Sequence, residues 1–193
     1  MYSLKSVLSL GLMSLASTAA CEPAKPAPGC GEVNVFYTGL PGYHQLVIDQ
    51  GYPPAEADAA IRNSTIEMIN AGYNVRVVLA GPEMDIERTR FLMKDVDWDV
   101  TGVGFGMRGS NISEVITRFE DNLQLFREET ALTAPMVFNY NPWTFLWSVQ
   151  RHIPLSSDCA GSPGKDMGLL VLCDDMCHYP NGTNPNGTMP YQY

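Results

Sequence analysis

The chain has 193 residues, 45% of them hydrophobic, and a formal net charge of −9. That content excludes intrinsic disorder for the body of the chain, and the length suits one domain. The 12 Lys and Arg are scattered singly, so no basic patch forms and the charge argues against a nucleic-acid partner.

Residues 1–20 read as a secretory signal peptide. Lys5 is their one charge, Val7–Ala16 is a short apolar run, and Ser17-Thr18-Ala19-Ala20 offers small residues for cleavage. The run is shorter than the roughly 20 residues a membrane span takes, so no integral membrane segment is expected after cleavage. Residues 21–31 form a Pro-rich linker, 32–177 the folded domain, and 178–193 a disordered Asn/Gly/Pro-rich tail. Four Asn-X-Ser/Thr sequons, at Asn63, Asn111, Asn181 and Asn186, mark glycosylation positions if the chain is secreted by a eukaryote. The five cysteines allow up to two disulfides in an oxidising compartment. Cys173-x-x-x-Cys177-His178 lacks the spacing of the usual zinc pairs, and no metal is expected.

Val33–Thr38 is rich in strand formers and stops at Gly39. A helix is predicted over Pro54–Ala71, with Ala57, Ala60, Ile61, Thr65, Met68 and Ile69 on one face and Gly72 closing it. Asn74–Ala80 is a second strand, Met84–Lys94 a charged helix, and Asp99–Val103 a third strand. The stripe Ile112, Val115, Ile116, Phe119, Leu123, Phe126 predicts a helix from Asn111 to about Glu129. In that helix Asn111 and Glu114 form a capping box, and Glu114 and Arg118 pair on the outer side. Pro135–Tyr140 reads as a fourth strand. Asn141-Pro142 reads as a helix start that turns Trp143 and Trp147 inward. Ile153–Ser156 is expected as a short fifth strand and Met167–Cys177 as a last helix.

Alternation of strands and helices predicts a single three-layer α/β domain. Its parallel sheet of four to five strands has helices on both faces, flavodoxin-like or Rossmann-like, in the order 2-1-3-4-5. Ligands in such sheets bind outside the carboxyl ends of the strands. There Gly104-x-Gly106-x-x-Gly109 lies between strand and helix, where small residues let backbone amides approach an anion. It follows the third strand, and no acidic residue closing a strand stands about 20 residues on, as a dinucleotide site requires. Dinucleotide binding, an anion held through Arg108, and a purely structural turn are its three readings, and the cofactor stays open. The candidate ligand-binding residues are Gly104, Gly106, Arg108, Gly109, Ser110, Asn139, Asn141, Ser157 and Asp158. His44 lies in a strand-end loop with no nucleophile assigned to it, and no catalytic residue is named.

Trp98–Gly109 and Pro154–Gly168 resemble small single-domain Rossmann-like or flavodoxin-like α/β proteins of microbial origin, a group with no established activity. The resemblance implies a fold and carries no site residue. The expected function is a secreted protein that binds an anionic small molecule at the carboxyl edge of its sheet, with or without catalysis. The alternatives are a secreted, glycosylated, non-catalytic protein acting through its surface, and an accessory protein of a microbial biosynthetic pathway.

Overall fold

Five parallel strands form one sheet, in which the fourth, third, first, second and fifth in chain order lie side by side. The computed structural model describes residues 26–180; the signal-like segment, Cys21, and the sequons at Asn181 and Asn186 lie outside them. In chain order the elements are β1 (Asn34–Gly39), α1 (Gln45–Asp49), α2 (Pro54–Asn70), β2 (Asn74–Ala80), α3 (Ile86–Met93) and β3 (Val100–Val103). They continue with α4 (Phe105–Arg108), α5 (Ser113–Glu129), β4 (Met136–Phe138), α6 (Phe145–Gln150) and β5 (Asp166–Leu172). The architecture is a single α/β domain, as the alternation of elements predicts.

Successive side chains of a strand point to opposite faces, and two cores result. Phe36, Val78 and Val103 pack with Leu92 and Met93 of α3 and Val115, Leu125 and Phe126 of α5. Val35, Tyr37, Val75, Val77 and Leu79 pack with Met68 of α2 and Phe145 and Val149 of α6. Strands β1 and β2 contribute to both clusters, so they read as near-continuous apolar runs, the expected pattern of a covered parallel strand.

The last third of the chain departs from the sequence reading. Met167–Cys177 is not a helix: Asp166–Leu172 is a strand and pairs with β2. Its register slips between Val75 and Val77, and Gly168 sits there at φ 102, a conformation glycine adopts without the steric cost of a Cβ. Ile153–Ser156 is not a strand. The fifth strand therefore lies beside β2 and not beyond β4, which corrects the expected order.

Two helical faces are also rotated from expectation. In α5, Arg118 and Asn122 are buried, while Ile116 is 40% exposed. Arg118 donates through Nη2 to the carbonyl oxygens of Pro82 and Met84, so it is not the outer partner of Glu114. The helix begins after Ile112 with no side-chain cap, and the Asn111–Glu114 capping box is not formed. Near β4, Asn141 accepts the Trp143 N–H at 2.9 Å and shapes a turn, and α6 starts only at Phe145. Trp143 and Trp147 are 61% and 43% exposed, while Phe145, Ser148 and Val149 face inward.

Two disulfides close, Cys30–Cys159 and Cys173–Cys177. Among the described residues no helix is long and apolar enough to cross a membrane.

Candidate functional site

In the order β3-β1-β2 the chain reverses direction across the sheet between β1 and β3, and the loops leaving these strands part there. Gly39 and Gly104 hold this point together. The Gly104 N–H donates to Thr38 O at 2.8 Å, and a Cβ on Gly39 would lie 3.7 Å from the Gly104 Cα. The ends of β1 and β3 thus run side by side into their loops, in ordinary van der Waals contact.

A crevice of about 100 Å³ opens over them. Its floor is Thr38, Gly39, Leu79 and Gly104; its walls include Val47, Tyr52, Ala57, Phe105, Pro142 and Phe145. Exposed Glu56 and Trp143 stand at the rim. The polar side chains within are Thr38 and Asn139, both buried. Thr38 donates its hydroxyl to Val78 O at 2.7 Å and keeps its acceptor capacity. Asn139 accepts from the Tyr37 hydroxyl at 3.3 Å and donates to Asn141 O at 2.7 Å, so it ties the β1 and β4 ends together beneath the crevice. Burial pushes the Tyr37 phenol above its ordinary range despite its Ser148 contact, so Tyr37 holds Asn139 as a neutral donor. The Tyr37 ring in turn stacks on Phe145, centroids 4.3 Å apart.

The predicted residues divide into three groups. Gly104, Gly106 and Asn139 line the crevice. Arg108, Gly109, Ser110 and Asn141 lie beside it in supporting roles. The Arg108 guanidinium donates to Asn139 O at 3.4 Å and lies over the Phe105 ring. Gly109 closes α4 against the same ring. Ser110 accepts the Ile112 N–H at 3.2 Å and shapes the turn into α5. Ser157 and Asp158 form the third group and lie at the opposite end of the sheet. Ser156 N–H donates to Pro28 O at 2.8 Å, and Cys159 is bonded to Cys30, which places this loop under the amino ends of β1 and β2. The polar cluster caps its own turn there, with Asp158 accepting the Ala160 N–H. It was expected at the carboxyl edge because the preceding residues read as a strand.

The apolar lining was not visible as a site in the sequence. Tyr52, Phe105 and Phe145 come from three separate loops and helices, and apolar residues at helical spacing announce core whether or not a gap remains between them. The glycine-rich turn after β3 was the one usable signal, and it marks the place without specifying the ligand. The sequons at Asn63 and Asn111 are both exposed. Neither lines the crevice, so a glycan at Asn111 and a ligand there use different residues.

His44 is fully buried and donates through Nε2 to Glu83 Oε2 at 3.0 Å. His152 is exposed, with its Nε2 3.2 Å from Arg151 Nη2.

No family model, curated protein or solved structure matches this chain.

Proposed function

We propose that this chain is an exported α/β protein that binds a compact, mainly apolar small molecule in the crevice between β1 and β3. The observation that carries the reading is the character of that crevice. It stands where open α/β sheets bind ligands, its walls are apolar with two polar groups at the base, and no basic side chain lines it. This pattern, apolar walls with a few placed polar groups, is that of small-molecule sites. An apolar cavity of about 150 Å³ takes benzene, so this open crevice of about 100 Å³ takes no more than one small ring. The exposed Glu56 carboxylate at the rim favours a neutral or cationic polar end. Export is supported by the signal-like start, by two disulfides, and by exposed sequons.

An anionic ligand is the second reading. It rests on Phe105 and Gly106 of the first turn of α4, whose amides have no intrahelical partner and border the crevice. Arg108, the residue expected to hold the anion, faces Asn139 and Phe105 instead.

Calorimetry with a matched set of single-ring compounds, neutral, amine-bearing and carboxylate-bearing, tests both readings. Neutral and amine-bearing members should bind and the carboxylates should bind at least about tenfold more weakly, a difference of about 1.4 kcal/mol. Gly106→Leu is the control, since no heavy atom lies within 4 Å of a Cβ there and the added side chain has room at the crevice edge. It should abolish binding. Preference for the carboxylates would transfer the site to the anionic reading, and no saturable binding of any member would refute the proposal.

A further inference from the structure

The segments leaving β1, β2 and β5 meet at a second place on the carboxyl edge. His44, after β1, is fully buried, and its Nδ1 accepts the Leu46 N–H at 3.0 Å. In the neutral imidazole the hydrogen therefore sits on Nε2, which donates to Glu83 Oε2 at 3.0 Å. Glu83 follows β2 in a loop that buried Arg118 grips on both sides, through the carbonyls of Pro82 and Met84. Gly81 leaves room for the pair, because a Cβ there would overlap both His44 Nε2 and Glu83 Oε2. Cys173, just past β5, completes the group: its sulfur, a His44 nitrogen and a Glu83 carboxylate oxygen lie within 4.8 Å of one another.

His, Glu and Cys together suggest a cation site, but two features argue against one. The Cys173 sulfur is already bonded to Cys177. A cation on Nε2 would also need the hydrogen moved to Nδ1, where it would face the Leu46 N–H. The same features suit sulfur chemistry. The loop carrying Cys177 is held against His44 by an antiparallel bridge and by Gln45 N–H to Met176 O at 2.8 Å. His178 N–H donates to Tyr43 O at 3.0 Å. Both cysteines are half-buried, within reach of solvent.

We propose that Cys173–Cys177 is a thiol–disulfide exchange centre for external dithiols, with the Nε2–H of His44 receiving the Cys173 sulfur as it leaves. A dithiol's thiolate attacks Cys177 Sγ, the disulfide breaks, and its electron pair departs on Cys173 Sγ. The dithiol's second thiolate then attacks its own sulfur in the mixed disulfide and releases Cys177. The two protons given up by the dithiol end on the two protein thiols, so the protein gains two electrons and the dithiol becomes a disulfide. Stabilising the leaving thiolate speeds such exchange. Glu83 works the other way, since its charge opposes a thiolate beside it and its oxygen competes for the same hydrogen.

The second disulfide is less suited to this role. Cys159 is 3% exposed, and only the half-buried Cys30 sulfur is open to an incoming thiolate. Cys30–Cys159 also spans a separation of 129 residues against 4 for Cys173–Cys177. Opening the short loop frees far less chain entropy, so the centre can cycle with the domain folded.

The test uses the full chain with limiting dithiothreitol, quenched at intervals with iodoacetamide, the modified cysteines being located by mass spectrometry. Cys173 and Cys177 should be modified together, at least about tenfold faster than Cys30 and Cys159. Glu83→Gln, at a partly exposed side chain, should raise the rate several-fold, and His44→Phe should lower it about tenfold. Because His44 is buried, the Glu83 variant keeps the test independent of a folding defect. Equal or slower opening of Cys173–Cys177, or a Glu83→Gln rate equal to the parent's, overturns the proposal.

Discussion

The Arg108 guanidinium is directed at the Asn139 backbone carbonyl, 3.4 Å away, and lies over the Phe105 ring. This relationship decides between two uses of the basic residue in the glycine-rich turn. Arg108 braces the wall of the crevice and does not enter it. Arg108→Ala should therefore lower ligand affinity about threefold or less, since it removes a brace and no direct contact. Calorimetry with the best-binding ring compound checks this, and a loss of about a hundredfold or more would return Arg108 to the site as an anion receptor.

Gly102 is required by packing and not by a ligand. A Cβ at this position would overlap the Tyr37 ring, and that ring carries the hydroxyl bonded to Asn139 and Ser148. Gly102→Ala should cost about 1–3 kcal/mol, the usual penalty of overpacking a core, measured by urea unfolding. It should also weaken ligand binding by displacing Tyr37. Tyr37→Phe separates the two effects, because it removes the hydroxyl at about 1 kcal/mol of stability while keeping the ring.

The two disulfides should differ in stabilising effect. Chain entropy assigns about 5 kcal/mol to a loop the length of Cys30–Cys159 and about 2 kcal/mol to one the length of Cys173–Cys177. Paired Cys→Ser replacements, compared by urea unfolding, should show the larger loss for the long loop. Equal losses would contradict the assignment of Cys30–Cys159 as the staple that holds the amino-end loops together.

Alkaline pH should weaken the fold. Burial pushes the Tyr73 hydroxyl up to about 12, where it donates to Ile153 O at 2.8 Å. The unfolded chain releases that proton near pH 10. Because the folded-state value is the higher one, this contribution is complete below about pH 10 and is lost as the pH rises towards 12. The urea midpoint should fall across that window, and Tyr73→Phe should make the fall shallower. An unchanged slope would contradict the buried, neutral state of this hydroxyl.

The strands β1 and β2 and the helix α2 were legible because each carries one unmistakable pattern bounded by glycine or proline. β5 was not. Met-Gly-Leu-Leu-Val-Leu is an apolar run whose periodicity fits a buried helix as well as a strand, and the glycine that marks a bulge reads as a flaw in either. Reading Ile153–Ser156 as the fifth strand puts Ser157 and Asp158 at the wrong end of the sheet, since the chain passes beneath the strands before β5 begins. Arg118 was placed outside because a charged residue ordinarily is. The turn carbonyls of Pro82 and Met84, distant in sequence, and the nearby carboxylates of Asp121, Glu83 and Asp85 compensate its burial. The crevice was located by topology and by the glycine-rich turn after β3, not by its apolar lining. Ile61 and Ala57 of α2 carried the core pattern, and only packing shows that the space beside them is left open.

The central claim is that the β1/β3 crevice takes a small, mainly apolar ligand. A heteronuclear NMR titration of the folded domain with pyrrole, a single neutral ring bearing one N–H donor, tests it most directly. Saturable shifts concentrated at Thr38, Gly39, Phe105, Gly106 and Trp143, and absent in Gly106→Leu, are predicted. Shifts that fail to saturate, or that gather away from these residues, would contradict it.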